Sequence, residues 1–152
     1  MKEAEDAISQ ANILDNTNPK VWGLMTILCL SMGKERMVQA NLTFKEALKL
    51  GLKESLTLEE IGDLYHELGE HDQSLIAYQF LAKINPGYAE GLRKYAEVLE
   101  DPRCRNQNID KAIEYFKKAL ELTKGDNNKN LIAVKMEKLY RKMGRDNEIR
   151  DI

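Results

Sequence analysis

The residues able to carry chemistry are few and poorly spaced for it. His66 and His71 lie five positions apart, and neither has a cysteine nearby. Helical metal ligands need a one-turn spacing to share a face, so both read as ordinary surface or groove histidines, one on a helix and one in a turn. Cys29 falls on an apolar stripe with Trp22 and Met25 and reads as a packed thiol. Cys104 sits in Pro102-Arg103-Cys104-Arg105. Its arginines would favour a thiolate, but its setting is that of a plain loop residue. No Gly-rich phosphate loop, Gly-x-Ser-x-Gly or His-Glu-x-x-His occurs. Asn41-Leu42-Thr43 has the form of a glycosylation acceptor but falls inside a helical stretch. No catalytic residue, metal ligand or cofactor is expected, and no enzyme.

Composition excludes further classes. The chain has 152 residues, 43% hydrophobic and 32% charged, which suits one globular domain. Lys plus Arg is 23 against 25 Asp plus Glu, a net charge of -2, so no general attraction to nucleic acid or anionic membranes is expected. Two cysteines make no disulfide framework and suit a reducing compartment. No apolar run approaches the roughly 20 residues of a membrane span. The start, MKEAEDAISQ, is acidic where a signal peptide would be basic and then apolar.

The elements that position these residues are helices. Apolar residues recur at three- and four-residue spacing almost throughout, and Ala, Leu, Glu and Lys dominate. Breakers divide the chain into segments: Pro19–Met32, Arg36–Leu50, Leu56–Leu68, Asp72–Ile84, Tyr88–Glu100, Ile109–Thr123 and Asn130–Met143, preceded by Glu3–Leu14. Gly33, Gly51, Gly69, Gly125 and Gly144, with Asn85-Pro86-Gly87 and Asp101-Pro102, mark the ends. About eight helices of 11 to 16 residues follow.

The segments repeat. In the first helix of each pair, Trp22, Leu58, Leu92 and Ala133 share one slot. Met25, Ile61, Tyr95 and Met136 share the next, and Cys29, Tyr65, Leu99 and Tyr140 the third. In the second helices Ala4, Ala40, Ser74 and Ala112 form a small slot. Ile8, Phe44, Tyr78 and Phe116 form a large one, followed by Ala11, Ala47, Leu81 and Ala119. The first-slot spacings are 36, 34 and 41 residues, with extra residues around Arg103 to Asn108 and Asp126 to Lys129. Small residues let antiparallel helices approach, large ones fill the gaps between pairs, and stacked pairs bury what one pair cannot.

This pattern resembles the tetratricopeptide repeat family, with its helix–turn–helix unit of about 34 residues. The clearest copy is Leu58 to Pro86, with Gly62, Tyr65, Gly69 and Asn85-Pro86. Thr26 and Glu137 depart from the usual Gly or Ala, and Ser74 from the usual Ala. Within that family, EAEDAISQANILDNTNPKVWG, Cys29-Leu30 and KLGLKESLTLEEIGDLY are similar to the C-terminal repeats of the cilia- and flagella-associated protein 70 family, a likeness that fades after about Gly69. The fold expected is all-α: a right-handed superhelical solenoid of antiparallel helix pairs. It would be a single array over 1–152, with a partial repeat at 1–16, repeats at 19–51, 55–87 and 88–125, and a further or capping helix at 127–144.

In this family the first helices line a groove that receives peptides or helices. The matching residues here are Ile27 and Leu30, then Glu59, Asp63, His66 and Glu67, then Glu90, Arg93, Glu97 and Glu100, then Lys138 and Arg141, with Lys20, Gly23 and Val134 on the same face. The first copy is apolar, the middle two mainly acidic and the last basic. A partner with a basic segment fits the middle. Gly23, Ile27, Glu59 and Asp63 stand where chaperone-tail binders carry a Lys, Asn and Arg clamp, and carboxylates would repel that ligand.

The resemblance implies a non-catalytic interaction scaffold, a structural component of a ciliary axoneme, whose partners are other proteins of the assembly. The locally basic Tyr140-Arg141-Lys142-Met143-Gly144-Arg145 either caps the array or reaches an acidic surface such as a tubulin wall. Two other functions fit: a cytoplasmic adaptor gripping a basic peptide, and the regulatory repeat domain of a larger enzyme. The uncovered face Ala4, Ile8 and Ala11 implies a partner helix upstream or another chain packed there.

Overall fold

The computed structural model describes residues 17–152, which contain helices and no strand. The slots Ala4, Ile8 and Ala11 and the helix expected over Glu3–Leu14 lie outside the described residues. The chain resolves into two compact units, Met1–Ile84 and Asn85–Ile152.

In the first unit α1 (Pro19–Ser31) and α2 (Met37–Lys49) pack as a pair, α3 (Ser55–Glu67) and α4 (His71–Ile84) form a second, and α1 also packs on α3. Asn18 starts α1: its side chain accepts from the Lys20 N–H at 3.0 Å, and Pro19 occupies the first helical position, where no N–H is needed. A short 3-10 turn, Lys34–Arg36, leads into α2.

The glycine stops work by backbone geometry. Gly69 has φ +79, a conformation in which a Cβ would be strained. That conformation lets the Gly69 N–H reach the His66 carbonyl at 3.0 Å and the Glu70 N–H reach the Tyr65 carbonyl at 2.9 Å. The same paired bonds form at Gly51, where the following Leu52 folds back into the core.

In the second unit α5 (Ala89–Glu100) pairs with α6 (Ile109–Leu122), and α6 packs on α7 (Asp126–Lys142). A 3-10 turn, Asp146–Asp151, packs on α7. Arg145 holds it by bonding Glu148 and, at 2.7 Å, Asp110 of α6. The inserted residues 103–108 fold against the end of α5. The Asn108 N–H bonds the Leu99 carbonyl at 2.8 Å, the Gln107 amide bonds the Glu100 carbonyl at 2.8 Å, and Cys104 is buried.

The second and third slots of the first helices are buried in every copy: Met25, Ile61, Tyr95 and Met136, then Cys29, Tyr65, Leu99 and Tyr140. All described slots of the second helices are buried as well, from Ala40 and Phe44 to Ala119.

The first slot is less regular. Leu58 and Leu92 are buried, but Trp22 is half-buried, because so large a ring is seldom enclosed completely. In α7 the core residue is Ile132 rather than Ala133. That helix begins at Asp126, four residues before the expected Asn130: the residues 126–129 read as a turn insertion are its first turn, started by Gly125 and favoured by Asp126 at the positive end of the dipole.

Two departures from the family pattern have a packing reason. Thr26 is fully buried, its hydroxyl 2.9 Å from the Thr43 hydroxyl, which in turn donates to the Ala40 carbonyl. Ser74, in place of Ala, donates to the Gly62 carbonyl at 2.9 Å and ties α4 to α3.

Candidate partner-binding surface

In the first unit, the solvent side of α3 carries Glu59, Glu60, Asp63, His66 and Glu67 at helical spacing. No Lys or Arg occurs within α3, so the helix itself supplies no such cation to offset these carboxylates. Glu60, His66 and Glu67 are exposed, whereas Glu59 and Asp63 are half-buried. Asp63 also serves the fold, because it accepts from the Tyr78 hydroxyl at 2.5 Å. Burial and this bond push the Tyr78 phenol well above its ordinary range, so it stays a donor. Lys20 of α1 reaches Glu54 at 3.3 Å at the open end.

The apolar part differs from expectation. Ile27 is half-buried, but Leu30 is 2% exposed and belongs to the core rather than to a docking face. Gly23 is buried against Thr57 and Leu52. On α1 and α3 the exposed large apolar side chains are instead Leu24 and Leu56, the latter 80% exposed. Their phase, off the core stripe of α1 and α3, was the available signal.

The histidines and cysteines have ordinary settings. The rings of His66 and His71 meet edge to face at 5.4 Å, with His71 buried as the first residue of α4 rather than in a turn. Both cysteines are buried thiols. Asn41 accepts from the Tyr65 hydroxyl at 2.9 Å and Thr43 is buried, so the Asn41-Leu42-Thr43 sequence is part of helix packing. Among the described residues no group of three His, Cys, Asp or Glu is placed to hold a metal, and no helix is long and apolar enough to cross a membrane.

In the second unit the carboxylates are offset. Arg93 lies between Glu90 and Glu97, one turn away on either side, and Lys135 of α7 also bonds Glu97. The expected acidic character of α5 is thereby offset by Arg93 of the same helix and by Lys135, which the sequence order keeps apart from it. Glu100 is half-buried, and desolvation pushes its carboxyl upward against the pull of Lys142 and Lys135. Lys138 and Arg141 are exposed, Arg141 paired with Glu137 at 2.5 Å. The basic stretch at Tyr140–Arg145 is thinner than its composition: Tyr140 is buried, and Arg145 is bound by Glu148 and Asp110.

A cleft of about 590 Å³ opens between the start of α5, the end of α6 and the first turns of α7. Tyr88, Leu122, Leu131 and Ile132 supply its apolar walls, and Arg93, Lys124 and Lys135 its cations, with Glu90 the acidic member. Leu122, Lys124 and Leu131 were absent from the expected face because they come from the end of α6, the link after it and an early turn of α7, which only packing brings to one cleft.

Known proteins share this architecture. The fold superposes on a crystal structure of MamA with a TM-score of 0.68 and 18% identity, covering 97% of this chain and 81% of that one. A second MamA structure gives 0.60 and 23% identity, covering 80% and 63%. The fold is therefore all-α and of the tetratricopeptide type.

Cilia- and flagella-associated protein 70 of Macaca fascicularis is 41% identical over 69 residues, 45% of this chain and 7% of that protein. The Homo sapiens protein matches to the same extent over 6% of its length. The chain thus spans a small part of these relatives. A sequence model of the cilia and flagella-associated protein 70 C-terminal domain matches residues 1–130, well past Gly69. With most of its length matched, the chain belongs to the family of the cilia and flagella-associated protein 70 C-terminal domain.

Proposed function

We propose that this chain is a non-catalytic protein-interaction scaffold of a cilium or flagellum, a structural component of the axoneme whose partners are other subunits of that assembly. The family match over residues 1–130 supports this reading. The surfaces agree with it: helix faces carry exposed Leu24, Leu56, Leu131 and Val134 among charges, as protein contacts do.

Fractionation of cilia tests it. The full-length protein carrying this segment should remain with the detergent-extracted axoneme and resist salt at about 0.6 M, because a buried interface is little screened. Release into the soluble matrix at low salt would refute a structural role. A second reading, a transient adaptor for a basic peptide, is favoured by the carboxylate-rich face of α3, a helix without Lys or Arg. In that case binding falls steeply with salt, and Glu60→Lys with Glu67→Lys abolishes it while leaving axonemal retention intact.

A further inference from the structure

The second unit has a surface of opposite character to α3. Along α7, Asn127, Leu131, Val134, Lys138 and Arg141 follow a four-three-four-three spacing, which aligns them on one side of the helix over about 21 Å. Leu131 is 62% exposed and Val134 48%, so the front of this stripe is apolar. The stripe joins the α5–α7 cleft: Leu131 lines both that cleft and a shallow hollow shared with Asn127, Asn130 and Val134.

The sign of the border is positive. α7 carries five Lys and Arg against two carboxylates, Asp126 and Glu137. Lys124 adds another cation at the mouth of the cleft, while Glu97, the carboxylate facing Lys135, is already shared with Arg93. Residues 146–152 do not cover the surface: none of them lines either hollow.

We propose that the α5–α7 cleft and the Leu131–Val134–Lys138 stripe of α7 form a docking surface for an acidic amphipathic helix of a partner protein. A straight apolar stripe matches the ridge of another helix better than an extended peptide, which would need sheet-edge or backbone partners. The occupant places apolar side chains one turn apart over Leu131 and Val134, with one entering the cleft beside Leu122. Its carboxylates face Lys124 and Lys138. A basic helix meets the same apolar stripe but is repelled by α7. This inference rests on the scaffold reading and names the chemistry of one of its partners.

The probe is a fluorescein-labelled helical peptide of about 16 residues with Leu on one face and Glu on the other, titrated into the full chain by fluorescence anisotropy. Controls carry Lys in place of Glu, or Gln in place of Leu. The Leu–Glu peptide should bind at least about tenfold more tightly than either control. Leu131→Ser and the pair Lys124→Glu with Lys138→Glu should each weaken it by about tenfold or more at an unchanged melting temperature. Both changes lie on exposed side chains, so the fold is retained. Equal binding of the Lys peptide, no binding of the Leu–Glu peptide, or indifference to Leu131→Ser overturns the proposal. Failure of the scaffold reading shows elsewhere, as loss of the parent protein from the axonemal fraction. Retention there combined with any of the three negative results overturns the docking surface alone.

Discussion

At Gly62 of α3 the Tyr78 ring of α4 fills the space a side chain would need, which makes a sharp prediction. A Cβ built on Gly62 would stand 2.5 Å from Cε1 and 2.7 Å from Cδ1 of Tyr78. The ring cannot easily withdraw: it is 3% exposed, and Asp63 holds its hydroxyl at 2.5 Å. Ser74, bonded to the Gly62 carbonyl, fixes the two helices together at the same point.

Two opposing effects therefore meet in Gly62→Ala. Helix propensity favours Ala over Gly by up to about 1 kcal/mol. Forcing a methyl group into a filled core costs about 1–3 kcal/mol. With the contact this short and the ring anchored, overpacking wins, for a net loss of about 1–2 kcal/mol. In a chain of this size that is a fall of about 2–8 °C in melting temperature, measured by circular dichroism at 222 nm. Tyr78→Leu removes the obstructing ring. In that background Gly62→Ala should become neutral or stabilising, with a coupling of about 1 kcal/mol or more. If Gly62→Ala stabilises the parent chain, or costs the same in both backgrounds, the reasoning from this contact is wrong.

Three other predictions concern stability. Thr26→Val and Thr43→Val each break the buried hydroxyl–hydroxyl bond but leave the other hydroxyl a backbone carbonyl, Ala40 for Thr43 and Trp22 for Thr26, so each should cost only about 1 kcal/mol in urea unfolding, while the double variant costs clearly less than their sum. Asn108→Ala removes the side chain that accepts the Lys111 N–H at 3.0 Å to start α6, and should cost about 1 kcal/mol. Glu100 is pushed above its ordinary value of 4.5 chiefly by desolvation, so its ionised form disfavours the folded state above that range. Glu100→Gln should raise the melting temperature at pH 7, and the gain should fade as pH falls toward 4.5, because the native carboxyl takes up its proton above that value.

Much of the fold was legible because it is set by short-range order. A helix exposes its burial pattern every three or four residues, and a repeat prints that pattern several times. Met25, Ile61, Tyr95 and Met136 could therefore be aligned without coordinates, and all four are buried. The glycine stops were equally visible, because a positive φ after the last turn favours that residue at Gly69 and Gly144 alike. The absence of a catalytic constellation was an expectation of the same kind, read from spacing alone.

Tertiary structure decided what each surface presents. Lys135 is 38 residues from Glu97 in the chain, yet its ammonium meets that carboxylate and, with Arg93, removes the acidity that α5 shows in sequence. Leu30 has the phase of a surface residue and is enclosed by neighbouring helices, whereas Leu131 has the composition of a core residue and stays exposed. Burial and charge pairing depend on which helices arrive alongside, and that is a property of the packing rather than of any one segment. The periodicity named the architecture of this chain and the sign of α3 and α7, while only the packing paired Glu97 of α5 with Lys135 and left Leu131 exposed beside the cations of α7.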